Sequence, residues 1–142
     1  MKKTLFIILL TACFQLSFSQ PVLNYKIKNA ANEKDRTMML DIYRASLYQE
    51  YKQEFIFVVN HFKVSQNYAW LMADVQQKDG KQVKMPDPDG YDCCHVEALF
   101  KKNAGKWYIV ESGAFSTDVW FMNIRDKNRN APRSIFPPNY VN

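Results

Sequence analysis

The chain has 142 residues, 47% of them hydrophobic and 15% aromatic, with only 4 glycines and a net charge of +5. That length suits one globular domain, and so much apolar and aromatic material excludes a disordered or collagen-like chain. No heptad run and no internal period point to a coiled coil or a repeat array.

The N-terminus reads as a targeting segment. Lys2 and Lys3 precede an apolar run from Thr4 to Leu10, and Ser17-Phe18-Ser19 offers a small-x-small cleavage site before Gln20. This is the pattern of a signal peptide, so residues 1–19 are set apart from the fold. Their removal, with two lysines, leaves 123 residues and lowers the net charge from +5 to +3. Leu10-Thr11-Ala12-Cys13 also fits a lipobox that would acylate Cys13. The apolar Phe14, Leu16 and Phe18 that follow favour soluble export instead. The expected location is the periplasm or the medium, with membrane attachment only if Cys13 is lipidated. Export also removes nucleic acids from the expected partners.

Residues 20–32 have no period and read as an extended arm. Asn32, followed by Glu33 and Asp35, is a helix N-cap with acids in the first turn. Met39, Ile42 and Ser46 form one line, and Leu40, Tyr43, Leu47 and Tyr51 an adjacent one, so a helix is expected over 33–52. The aromatic and β-branched run from Glu54 to Val64 then predicts a strand, and Tyr68 to Gln76 a second, joined by a tight hairpin. Residues 78–90, with Asp79-Gly80, Pro86, Pro88 and Asp89-Gly90, read as a long loop. Cys94, Val96, Ala98 and Phe100 alternate as the buried face of a third strand, and Trp107 to Ser112 make a fourth. A short helix is expected from Thr117-Asp118 to about Arg125, followed by an extended tail from Ile135.

The expected fold is therefore α+β, an N-terminal helix packed on a four-stranded antiparallel meander, with a cystatin-like or NTF2-like outline. Both tight hairpins lie at one end of the sheet. The other end gathers the helix C-terminus, the 78–91 loop and the segment after Gly113, and is the expected place for a site.

Few residues suggest chemistry. Cys93 and Cys94 are adjacent, so strand geometry separates their side chains. They read as one buried thiol and one at the loop mouth, or as a vicinal disulfide in an oxidising compartment. His95 shares a face with Cys93, but no third residue is evident to orient it. His61 has the parity of Phe57 and Val59, and reads as a packing residue. Asp87, Asp89 and Asp92 do not complete a calcium loop, and turn formation explains them. No metal and no cofactor is expected. Lys101, Lys102 and Lys106 form a basic patch that also keeps a hairpin soluble. Trp70 and Trp107 read as core, and Trp120 as the tryptophan placed to line a pocket. No Gly-rich phosphate loop, paired catalytic acids or serine elbow is present.

Arg36, Leu40-Asp41 and Arg44 on the helix, Phe57-Val58-Val59 and Val64-Ser65 on the first strand, Ala98-Leu99, Gly105 to Glu111, and Thr117-Asp118-Val119-Trp120 together form a pattern. It resembles that of a family of small exported bacterial proteins, over about Arg36 to Phe136. The Tyr68-Ala69-Trp70 order and the Cys93-Cys94 pair depart from that pattern. The resemblance implies an exported single domain and no activity.

Charge among these residues suggests an ion-pair network of Arg36, Asp41, Arg44 and Asp118, tying the helix to the segment after the sheet. The reading that follows is a non-enzymatic exported binding or interaction protein, using Tyr91, Asp118 and Trp120 to meet a small molecule or an envelope protein. The alternatives are an inhibitor or immunity protein against a secreted enzyme, and a small NTF2-like enzyme with a polar pocket between helix and sheet.

Overall fold

The computed structural model describes residues 20–81, 83–85, 93–116 and 118–140. It is α+β, with one main helix against one antiparallel sheet. In chain order the elements are β1 (Leu23–Asn24), α1 (Glu33–Tyr51), β2 (Phe55–Ser65), β3 (Tyr68–Gln77), β4 (His95–Asn103), β5 (Lys106–Ala114) and a single-turn helix α2 (Ile124–Lys127). The sheet order is β1-β2-β3-β4-β5, with every neighbour antiparallel. It has five strands rather than four, because part of the arm pairs with the end of β2, Leu23 opposite Val64 and Asn24 opposite Lys63.

Met39, Leu40, Tyr43 and Leu47 bury the sheet-facing stripe of α1. They meet Phe55, Phe62, Val64, Ala69, Leu71, Ala73, Val75, Val96, Ala98 and Phe100 in the larger core. At its centre the Tyr43 hydroxyl reaches the main-chain oxygens of Glu97, at 2.9 Å, and Gly113, at 2.8 Å. Asn32 occupies the N-cap position but makes no side-chain cap. Its oxygen accepts from the Asn29 amide at 3.0 Å, and its amide donates to the Ile27 carbonyl at 2.9 Å, so it folds the arm back instead. Lys52, in the left-handed region at φ 55°, ends the helix.

The central strands β3 and β4 are buried on both faces, which corrects the one-sided reading of the third strand. Tyr68, Trp70 and Leu99 face away from α1 and are covered by Ile124, Ala131, Ile135 and Phe136. Strands with bulky apolar residues on both faces need cover on both. The chain after β5 supplies it. That segment forms turns through residues 120–123, then α2 and 3-10 turns at Arg133–Ile135 and Pro138–Tyr140, in place of the expected helix from Thr117 and extended tail.

Two bulges shift side chains between faces. In β2 the register slips between Val59 and His61, so Phe57 and Val59 face α1 before the bulge, and Phe62 and Val64 after it. His61 is thereby turned to the opposite face, against its expected parity. Its Nε2 lies 2.7 Å from the Ile135 carbonyl, which requires the proton on that nitrogen. Burial lowers the pKa of its imidazole, despite that bond. A second irregularity lies between Leu99 and Phe100, opposite Val110.

Candidate functional site

The residues expected to form a site are dispersed. Tyr91 lies outside the described residues, as do residues 1–19 with Cys13, the Asp87 to Asp92 cluster, and Thr117. Asp118 is exposed, and its amide donates to Ser116 Oγ at 3.1 Å. Arg36 donates to the carbonyls of Tyr25, at 2.8 Å, and Lys26, at 3.3 Å. Arg44 pairs with Asp41 at 2.7 Å and lies over the Phe57 ring. Among the described residues no ion pair joins Asp118 to either arginine. The four-residue network is corrected to one local pair, because Arg36 sits at the hairpin end of the sheet and Asp118 follows the opposite end.

Trp120 does not line an open pocket. Its indole lies over Gly113 and beside Trp70, with ring centroids 5.8 Å apart. A Cβ at position 113 would run into the indole ring, so glycine is required here for close approach. Gly113→Ala is expected to lower stability by roughly 1–2 kcal/mol, through overpacking, and to shift tryptophan emission to the red. Unchanged urea midpoint and emission would show that the indole does not rest there.

Cys93 and Cys94 are placed as a vicinal disulfide, of the two readings the sequence left open. Lys102 of the basic hairpin is held by Asp35 at 2.7 Å and lies over Trp107. Lys101 lies over Tyr68. Among the described residues no group of three or more His, Cys, Asp or Glu side chains could hold a metal ion. No helix there is long and apolar enough to cross a membrane.

Sequence reasoning missed Glu97. Only 2% of it is exposed, and it sits on the tail-covered face of β4. The Tyr140 hydroxyl donates to its Oε1. Its Oε2 has no partner, and the Trp120 indole N–H is near but out of hydrogen-bonding geometry. Burial raises the pKa of the carboxyl, while the Tyr140 bond and His95 oppose that rise. Burial, then the bond to Glu97, pushes the Tyr140 phenol far up. This cluster is filled by packed rings: Phe121 stacks on Tyr140 at 4.0 Å, and Phe136 lies 5.1 Å from Trp70. It closes the tail onto the sheet rather than opening to a ligand.

An open groove lies at the end of the sheet where irregular backbone was expected, but on different residues. There α1 overhangs the outer edge of β2 and leaves a groove of about 450 Å³. Arg44, Ala45, Tyr48 and Gln49 form its roof, and Glu54, Phe55, Ile56 and Lys78 its floor and rim. Tyr48 is 48% exposed at the groove, and Ile56, at 37%, and Val58, at 49%, are exposed on the face of β2 away from α1. Among the described residues β1 covers only the other end of that edge, and the last backbone bond is from the Tyr25 amide to the Phe62 carbonyl, at 2.7 Å. The sequence signal was present in the unbroken Phe55 to Val59 run. What it lacked was which strand would lie at the edge. No protein-family model, curated protein or solved structure matches the chain.

Proposed function

We propose that this is an exported, non-enzymatic interaction module whose contact surface is the groove between α1 and the open edge of β2. The observation that carries the reading is the open β2 edge, with Ile56 and Val58 exposed on its face away from α1, bordering a groove roofed by Arg44, Ala45, Tyr48 and Gln49. Unpaired edge N–H and C=O groups bind an added strand through main-chain hydrogen bonds, and the neighbouring groove takes its side chains. The packing argues against the NTF2-like enzyme alternative. In that reading a polar pocket opens between helix and sheet, whereas here Met39, Tyr43, Phe62 and Phe100 fill that layer.

The test is photo-cross-linking in cells that make the protein, with benzoylphenylalanine in place of Tyr48 or of Tyr108. The two tyrosines are similarly exposed, at 48% and 51%, and Tyr108 lies on β5 at the opposite edge. Adducts several-fold more abundant at position 48 are expected. Equal yields, or no adduct at 48, would remove the groove as the contact surface.

A further inference from the structure

We infer that the occupant of this groove is a second copy of the same chain, joined through the β2 edges about a twofold axis at Phe57. The inference rests on the proposed contact surface and names its partner. The open part of the edge is short and bounded. At one end β1 and the Tyr25–Phe62 bond occupy it, and the bulge at Asn60 breaks the regular strand just before them. Among the described residues that leaves Phe55–Val59. This stretch carries no charge, no proline and no glycine, so only its shortness and the bulge at its end discourage edge pairing. The other edge, β5, carries Lys106 and Glu111 and an irregular register.

The stretch is also self-complementary. Ile56 and Val58 share the face away from α1, and both are exposed. Antiparallel pairing about Phe57 sets Ile56 opposite the second copy's Val58, and Val58 opposite the second copy's Ile56. Each exposed side chain is then covered by the other at cross-strand distance. Further out along the edge, Glu54 meets the second copy's Asn60. A shift of one residue would set Ile56 and Val58 against the wrong face, so the apolar pair fixes the register. The axis repeats every contact, as an isologous interface requires. On the α1 side it brings the two overhangs together, with Ala45, Tyr48 and Gln49 of each copy bordering the closed groove.

The experiment is sedimentation equilibrium of the full mature chain across the micromolar range, with circular dichroism to confirm folding. The wild type is expected to dimerise. Val58→Lys and Ile56→Glu are each expected to weaken the dimer at least tenfold, since each buries one charge against an apolar neighbour. The double variant I56E/V58K sets opposite charges across the axis twice, and is expected to recover most of the loss. A wild type that stays monomeric, a dimer indifferent to Val58→Lys, or a double variant no better than the singles would each overturn the inference. The cross-linking separates this from the reading beneath it. An adduct at position 48 with twice the chain mass supports the second copy. An adduct with a different protein overturns the second copy and leaves the contact surface standing.

Discussion

Trp70→Ala is expected to lower the unfolding free energy by about 3–5 kcal/mol, a large part of the roughly 5–15 kcal/mol that holds a domain of this size. Trp70 is fully buried on β3, with Trp120 at 5.8 Å, Phe136 at 5.1 Å and Tyr140 at 5.8 Å between ring centroids. Every one of those partners comes from the chain after β5. The ring is thus the point at which the tail is fastened to the sheet, and its removal leaves a cavity that the tail cannot fill without moving. The loss should be uneven. Amides of the tail, such as Ile135 and Phe136, are expected to exchange their hydrogens much faster, while those of β3 and β4 stay protected by the intact α1-side core. Urea unfolding with a loss below about 1 kcal/mol would mean that the tail does not form the second layer.

Tyr140→Phe is expected to cost about 3 kcal/mol at pH values above the raised folded-state pKa of Glu97, because it leaves a buried carboxylate with neither oxygen bonded. At acid pH the cost falls to about 1 kcal/mol, the worth of an ordinary hydrogen bond to a neutral carboxyl. The sign follows from the burial of Glu97, which raises its pKa in the folded state above that of the unfolded chain. The folded protein then holds this proton more tightly. The stabilisation is complete below the ordinary carboxylate range, declines as pH rises to the folded value, and is constant above it. Glu97→Gln keeps an oxygen for the Tyr140 hydroxyl and cannot ionise. It is expected to gain stability relative to the wild type as pH rises through that window, and to flatten the profile. Urea midpoints of the two variants across pH check both statements; parallel profiles for wild type and Glu97→Gln would show that folding does not raise the pKa of Glu97.

The order of elements was legible in the sequence because it depends on local periodicity. The apolar lines through Leu40, Tyr43 and Leu47 predicted a helix over 33–52, and α1 spans Glu33–Tyr51. The run around Phe55 to Val59 and the polar breaks after Ser65 and Asn103 located β2 and both hairpins. The end of the sheet where backbone irregularity collects also followed, since alternating strand direction alone decides it.

Tertiary structure decided what those patterns leave open. Leu23 and Asn24 carry no strand signal of their own, and become β1 only because β2 offers them an edge. A bulge at Asn60 reverses the face of every later residue in β2, so His61 reaches Ile135, 74 residues away, instead of α1. No residue near Glu97 in sequence foretells its burial; the cover arrives from Trp120 and Tyr140 once the tail folds back over Trp70. The same holds for the groove. Phe55 to Val59 read as strand from composition, but only the strand order leaves their outer edge open, and only the length of α1 carries Arg44 and Tyr48 over it. Periodicity is a property of neighbouring residues, whereas which face is covered, and by what, depends on segments that meet only after the chain has folded.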